Sequence, residues 1–163
     1  MSFHSRLRYK IALREEIATR LLPYKKEMKK VVFTNGCFDL LHPGHVDYLC
    51  RARDLGDYLV VGLNTDSSVQ SLRKAPGRPV NRENARALVL AGLECVDAVV
   101  LFDEPTPYDL IRLIQPNILV KGDDYKVEEI VGHDIVTASG GKVITIPFLE
   151  GYSTTSIIKK ITG

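Results

Sequence analysis

Two histidines three residues apart, His42 and His45, are the residues of this sequence best placed to do chemistry. An apolar run and a turn at Gly36 precede them, and Gly44 lies where the pattern predicts the start of a helix. The free N–H groups and the dipole of a helix start favour an anion, and imidazoles donate hydrogen bonds to phosphate oxygens. The spacing therefore predicts a phosphate-binding site at this helix start.

A zinc site is the alternative explanation of a His-x-x-His pair. Zinc normally takes more than two protein ligands, and His4 and His133 lie in unrelated segments. The three cysteines are far apart and form no CxxC pair, which excludes a four-cysteine zinc site and fits the reducing cytoplasm. Phosphate binding is the favoured interpretation, and no protein metal site is expected.

A basic run follows the second apolar segment. It holds Arg73, Lys74, Arg78, Arg82 and Arg86. A solvated loop followed by an exposed helix face would also explain these charges. However, a polyanionic substrate needs neutralisation, and Arg78 is fixed between a glycine and a proline. We therefore expect Lys74, Arg78 and Arg86 to contact phosphate and the other two arginines to be exposed.

Two more polar segments lie where apolar strands end. The segment Gly151-Tyr152-Ser153-Thr154-Thr155-Ser156 lies at the start of a C-terminal helix, and because a helix cap needs one hydroxyl residue and not four, the surplus predicts a second anion cradle. In the segment Lys121-Gly122-Asp123-Asp124-Tyr125, Gly-Asp-Asp has the composition of a turn, and its carboxylates are also suited to ribose hydroxyls.

Short apolar runs alternate with helical patterns along residues 31–163. The predicted strands are Val31–Thr34, Tyr58–Leu63, Val96–Leu101, Ile118–Lys121 and Val143–Ile146. Nearly continuous apolar strands separated by helices are typical of a parallel sheet covered on both faces. We predict an α/β, Rossmann-like, doubly wound sheet of five parallel strands. Ligands of such sheets bind outside the carboxyl ends of the strands, where the strand order reverses, and all the polar segments above belong at that edge.

The chain has 163 residues, enough for one domain, with residues 1–30 predicted as an N-terminal helical extension and residues 31–163 as the functional domain. A helix is expected over about residues 5–22. The net charge of +2 gives no global attraction to nucleic acid or to a membrane. No apolar run approaches the length of a membrane span.

The order of these motifs resembles the cytidylyltransferase-type nucleotidyltransferases of the HIGH superfamily. His42-Pro43-Gly44-His45 matches the HxGH signature, and Gly36-Cys37-Phe38-Asp39 matches the GxFD before it. Ser153-Thr154-Thr155-Ser156-Ile157 matches the C-terminal STTxI segment. Within that family, the similarity is greatest to the heptose 1-phosphate adenylyltransferases. It lies in Thr34–Asp39, Pro76–Asn81, Val120–Gly122 and Leu149–Thr155.

The resemblance implies that ATP and D-glycero-β-D-manno-heptose 1-phosphate react to ADP-heptose and pyrophosphate, for the lipopolysaccharide core. It implies a homodimer and Mg²⁺ held mainly by nucleotide phosphates. Catalytic roles fall to His42, His45 and Lys74, and substrate-phosphate contacts to Arg78 and Arg86. The expected nucleotide-binding residues are Thr34, Asn35, Gly36, Phe38, Gly44, Lys121, Gly122, Asp123, Asp124, Tyr152, Ser153, Thr154 and Thr155.

Two positions depart from the heptose pattern and keep alternatives open. Asp123 replaces an expected glycine, so that Gly-Asp-Asp resembles the glycerol-3-phosphate cytidylyltransferases, whereas Phe148 stands where those enzymes carry arginine. The alternatives are a cytidylyltransferase for glycerol 3-phosphate or another small phosphorylated alcohol, and a nucleotide-sensing module without turnover. Nucleic-acid binding is disfavoured because the basic residues lack interleaved aromatic platforms.

Overall fold

The computed structural model describes residues 1–72 and 76–163 of the chain. The described residues form one parallel sheet. Its strands are β1 (Ile11–Ala12), β2 (Val31–Gly36), β3 (Tyr58–Asn64), β4 (Ala98–Phe102), β5 (Ile118–Gly122) and β6 (Lys142–Ile146). The helices are α1 (Phe3–Lys10), α2 (Arg14–Lys26), α3 (Pro43–Arg53), α4 (Asp66–Ser71), α5 (Glu83–Ala91), α6 (Tyr108–Ile114), α7 (His133–Ala138) and α8 (Thr154–Thr162), with a 3₁₀ turn at Val127–Glu129.

The order of the strands across the sheet is β1-β4-β3-β2-β5-β6. The chain passes from β2 to β3 on one side, and β5 later pairs with β2 on the other side. The order therefore reverses between β2 and β5, whose carboxyl ends are Gly36 and Gly122. Ligands of doubly wound sheets bind at such a point.

Apolar side chains of the central strands alternate between two cores. In β2, Val32 packs with helices α3 and α5 on one face, whereas Val31 and Phe33 pack with α2, α6 and α7 on the other. Burial on both faces explains why these strands are almost continuously apolar in the sequence. The predicted α/β fold with helices on both faces is confirmed.

The N-terminal segment differs from the prediction. Instead of one helix over residues 5–22, α1 and α2 flank the two-residue strand β1, which pairs with β4. The sheet thus has six strands rather than five. Ile17 and Leu21 of α2 are fully buried in the second core, and α2 continues through Pro23. A strand of two residues is too short to show an alternating pattern, which is why the sequence did not reveal it.

Among the described residues, no helix combines the length and the apolar character that a membrane crossing requires.

Candidate active site

A cleft of about 490 Å³ lies over the carboxyl ends of β2 and β5. It is lined by most of the residues that the sequence predicted for the site. They are Asn35, Gly36, Phe38, His42, Gly44, His45, Arg78, Lys121, Gly122, Asp124, Tyr152, Ser153 and Thr154. Four segments distant in sequence therefore meet at the reversal of strand order.

The two histidines stack on each other at the start of α3. Their ring centroids are 3.8 Å apart with the planes inclined by 23°. The edge of Phe38 packs against His45 at 5.3 Å between centroids. Burial lowers the pKa of His42 from its usual value, so this ring is neutral at pH 7 in the free protein.

Gly44 lets the His42 ring fold back over the first turn of α3. A Cβ atom at Gly44 would lie 3.0 Å from Nδ1 of His42 and 3.4 Å from Cβ of Tyr152. The His42 backbone caps the helix, with its carbonyl accepting from the His45 N–H at 2.9 Å. The helix start, the imidazoles and the Tyr152 segment are thus brought together because this position has no side chain.

Asp39 fastens the loop that carries Arg78 to the end of β2. Its buried carboxylate accepts the backbone N–H groups of Val80 at 2.8 Å and Asn81 at 2.9 Å. The Nε atom of Arg78 lies 2.8 Å from Asp39 Oδ2, at an angle that makes the contact ionic rather than a hydrogen bond. These contacts hold the arginine at the edge of the cleft.

Lys121 brings a second cation into the cleft from the end of β5. Its Nζ donates to Oδ1 of Asn35 at 3.0 Å and lies 5.4 Å from the ring centroid of Tyr125. Because Asn35 belongs to β2, this contact bridges the two strands between which the order reverses.

An aromatic wall, formed by Phe148 and Tyr48, closes the side of the cleft next to β5. The ring of Phe148 would lie only 2.1 Å from a Cβ atom at Gly122, so glycine is required for the ring to pack there. Phe148 stacks toward Tyr48, with 6.2 Å between ring centroids. The Phe148 side chain is 57% exposed, which leaves its other face open to a ligand.

The hydroxyl segment before α8 is partly a cap and partly a tether. Ser153 accepts the N–H of Ser156 at 3.0 Å, as a helix N-cap does. The hydroxyl of Thr154 donates to the carbonyl of Leu40 at 3.2 Å, which attaches α8 to the loop before the histidines. Thr155 does not line the cleft.

The structure contradicts the prediction that Arg86 contacts a substrate phosphate. The arginine side chain is buried away from the cleft and donates to carbonyls and to Asp66. The guanidinium therefore binds groups of the protein itself and not a substrate phosphate.

Two more of the predicted nucleotide-binding residues, Thr34 and Asp123, do not line the cleft. Thr34 is fully buried, and its hydroxyl pairs with that of Tyr48 at 2.8 Å, so it supports the cleft from behind instead of contacting nucleotide. Asp123 is exposed outside the cleft lining. Lys74 lies outside the described residues, and its role stays a prediction.

Six lining residues were not among the predicted site residues: Cys37, Asp39, Tyr48, Tyr125, Phe148 and Leu149. Helix α3 buries Tyr48, Leu49 and Ala52. Tyr48 lies one helical turn after His45, and this spacing is the signal that would have located it.

The sequence matches the model of the cytidylyltransferase-like family over residues 33–160. The chain belongs to this family. The predicted nucleotidyltransferase class is thereby confirmed.

Curated relatives carry the name bifunctional protein HldE. The chain is 54% identical to the protein of Nitrobacter hamburgensis over 149 residues, which are 91% of the chain and 30% of that protein. It is 60% identical to the protein of Citrifermentans bemidjiense over 133 residues, 82% of the chain and 27% of that protein. The chain thus spans about a third or less of the length of these relatives.

Two solved structures have a similar fold. The lipopolysaccharide core biosynthesis protein of Thermoplasma volcanium is 30% identical with a TM-score of 0.65, covering 75% of this chain and 99% of that one. Pantoate-beta-alanine ligase of Francisella tularensis has a TM-score of 0.59 at 16% identity, over 93% of this chain and 77% of that one, which shows a shared fold.

Proposed function

We propose that the protein is an adenylyltransferase that joins ATP to D-glycero-β-D-manno-heptose 1-phosphate, giving ADP-heptose and pyrophosphate for the lipopolysaccharide core. The observation that carries the proposal is the His42–His45 stack at the start of α3, inside one cleft with Arg78 and Lys121. The identity to HldE proteins and to a lipopolysaccharide core biosynthesis protein supports the substrate class. All three cysteines are free thiols, which supports work in the cytoplasm.

The reaction needs positioning and charge neutralisation more than it needs proton abstraction. A phosphate oxygen of the sugar attacks the α-phosphorus of ATP in line, the new P–O bond forms, and the bond to pyrophosphate breaks. The nucleophile is already anionic, so no general base is required. Two polyanions must meet, and donors aimed at the developing charge supply most of the acceleration.

In the proposed mechanism the imidazoles donate to oxygens of the reacting phosphates. Arg78 and Lys121 enter the cleft from the loop after α4 and from β5, respectively, and neutralise the incoming sugar phosphate and the phosphate chain. The N–H groups at the start of α3 add a fixed positive potential. Lys74 remains a proposed third cation for the same phosphates.

The aromatic wall is proposed to hold the base. Phe148 has an open face, and Gly122 allows close approach along the end of β5. Asp124 lines the cleft beside Gly122, where its carboxylate is suited to ribose hydroxyls. The choice of ATP over CTP is proposed from the similarity to the HldE proteins.

We propose that Mg²⁺ enters with the nucleotide and not in a protein cage. Within residues 1–72 and 76–163, no three His, Cys, Asp or Glu side chains converge on a metal position. Asp39 is committed to two backbone N–H groups and Arg78. Mg²⁺ keeps waters and binds phosphate oxygens readily, so this arrangement fits a metal that neutralises the phosphate chain.

The homodimer also stays a proposal, and the outer face of α3 and α5 is our choice for its interface. Val46 and Val89 are exposed there and line a shallow apolar groove with Leu41, Pro43 and Leu93. Val89→Glu should convert a dimer into a monomer in light scattering, while Leu113→Glu, on the exposed part of α6, should leave the mass unchanged. A monomeric parent protein would contradict the proposal.

A substrate panel tests the proposed function. ATP and CTP are each paired with heptose 1-phosphate and with glycerol 3-phosphate, and pyrophosphate release is recorded. We expect turnover only with ATP and the heptose. Preference for CTP and glycerol 3-phosphate would replace the proposal by the cytidylyltransferase alternative. Nucleotide binding without pyrophosphate from any pair would indicate a sensing module.

A further inference from the structure

Arg86 is the largest fully buried polar side chain of the described residues, and its four hydrogen bonds reach three segments of the chain. Nε donates to the carbonyl of Asn81 at 2.9 Å. Nη1 donates to the carbonyls of Cys37 at 2.7 Å and Asn64 at 2.8 Å, and Nη2 to the carboxylate of Asp66 at 2.7 Å. Asn64 ends β3, Cys37 directly follows β2, Asn81 lies in the loop before α5, and Asp66 begins α4.

We propose that Arg86 is a positioning residue that sets the place of the Arg78 guanidinium in the cleft. The inference rests on the proposed function, because it assigns Arg86 a part in holding a cation against the substrate phosphates. Arg86 itself lies outside the cleft lining and so acts through another residue.

The segment that carries Arg78 is fixed from two sides. The N–H of Asn81 donates to Asp39, and the carbonyl of the same residue accepts from Arg86. Asp39 also holds the Val80 N–H and lies 2.8 Å from Arg78. Loss of the Arg86 contact frees the carbonyl side of Asn81 and lets the segment turn about its remaining bonds to Asp39.

The same guanidinium steadies the turn before the histidines. Its bond to the Cys37 carbonyl lies one residue from Phe38, which has a left-handed backbone with φ of 44° and packs against His45. Glu83 accepts the backbone N–H of Asp66 at 2.7 Å, so the first turns of α5 hold the start of α4 by two contacts. Arg86 is thus at the centre of the framework around one wall of the cleft.

Only a guanidinium fits this set of acceptors. Lysine has three N–H donors on one nitrogen, whereas Arg86 uses three nitrogens that point to four acceptors. Arg86→Lys keeps the positive charge but loses the spread of its donors. This variant therefore separates the charge of the side chain from its geometry.

The test is a double-mutant cycle between Arg86→Lys and Arg78→Ala, read as kcat and KM of pyrophosphate release and as the Kd of ATP. A misplaced binding group costs on the order of 10²-fold in rate, which we expect in kcat/KM for Arg86→Lys alone. In the Arg78→Ala background the same change should cost about tenfold or less, because the two residues act as a unit. Equal losses in both backgrounds would overturn the proposal.

Arg53→Lys is the matched control for a merely structural arginine. Arg53 also ties a helix to a strand end, with Nε 2.7 Å from Asp97, but at the opposite edge of the sheet. Arg53→Lys should lower the thermal midpoint of unfolding without changing kcat/KM. An equal loss of kcat/KM for Arg53→Lys would show that any weakened helix anchor has this effect and would also overturn the proposal.

Asp66→Asn keeps the inference testable if Arg86→Lys does not fold. Asp66 is partly exposed, and its change weakens the outer anchor of the guanidinium without emptying the buried position. We expect a smaller fall in kcat/KM that again shrinks in the Arg78→Ala background. No fall, or one of equal size in both backgrounds, would contradict the positioning role. Failure of the proposed function is distinguishable, since the unaltered protein would then release no pyrophosphate.

Discussion

The imidazole rings of His42 and His45 lie face to face, 3.8 Å between centroids, with both rings on the wall of the cleft. Burial lowers the pKa of His42, so its ring is neutral before a ligand enters. A neutral imidazole has one N–H donor, whereas the charged ring has two. Phosphate favours the charged form, and binding of a polyphosphate is therefore coupled to protonation.

Nucleotide binding should take up a proton at pH values above the lowered free pKa of His42. The free pKa of His42 is below its usual value and rises when phosphate binds, so the bound state holds more protons and the Kd of ATP increases with pH. Titration calorimetry in two buffers of different ionisation enthalpy measures the uptake. His42→Asn should reduce it. Proton release on binding, or an uptake unaffected by His42→Asn, would contradict this prediction.

Gly122→Ala should displace Phe148 and weaken nucleotide binding. The new Cβ would meet the ring at 2.1 Å and Oδ1 of Asp124 at 2.8 Å, and the ring must move. We expect a KM for nucleotide raised about tenfold, which corresponds to ~1.4 kcal/mol. The comparison variant is Phe148→Ala, in which Gly122→Ala should add little. A full additional loss in that background would rule out the ring as the cause.

Thr34 and Tyr48 form a buried hydroxyl pair whose contribution is to stability. Thr34→Val leaves the Tyr48 hydroxyl without its partner and should cost about 1–3 kcal/mol in urea unfolding. The double variant Thr34→Val/Tyr48→Phe removes both polar groups and should cost less than the sum of the single changes. Thr34→Val should leave the KM for nucleotide within about threefold. A large rise in KM would restore Thr34 to the nucleotide contacts.

Burial also raises the pKa of Tyr48 to about 12, which gives the pair a pH dependence. The folded pKa is above the unfolded value of about 10, so the neutral phenol is favoured in the folded state. Its contribution to stability is complete below about pH 10 and decreases as the pH rises toward 12. Tyr48→Phe should flatten this part of the stability curve.

The central strands were predictable because burial on both faces leaves a continuous apolar run. Val31–Thr34 lies within the observed Val31–Gly36, and the strand near residue 118 begins at the predicted residue. The short helix α4 was not predicted, because its six residues have the composition of a loop. Local sequence carries no periodicity over such short elements.

The cleft was predictable as far as strand ends and helix starts determine it. His42, His45 and Lys121 occupy such ends, and the topology of a doubly wound sheet brings them together. Arg86 was assigned wrongly because three of its four acceptors, Cys37, Asn64 and Asp66, come from two segments distant in sequence, and a basic residue near a loop gives no sign of such partners. Tyr48 was missed because its role depends on Thr34, which lies across the packed interface between α3 and β2.

Pyrophosphate release from ATP and heptose 1-phosphate by His42→Asn and His45→Asn tests the central claim most directly. Both side chains are only partly buried, so thermal midpoints should stay near that of the parent protein. Losing a donor at the developing charge typically costs 10²–10³ in rate, and we expect kcat to fall by about that factor in each variant. Turnover within about threefold of the parent in both folded variants would contradict the claim that the stacked histidines hold the reacting phosphates.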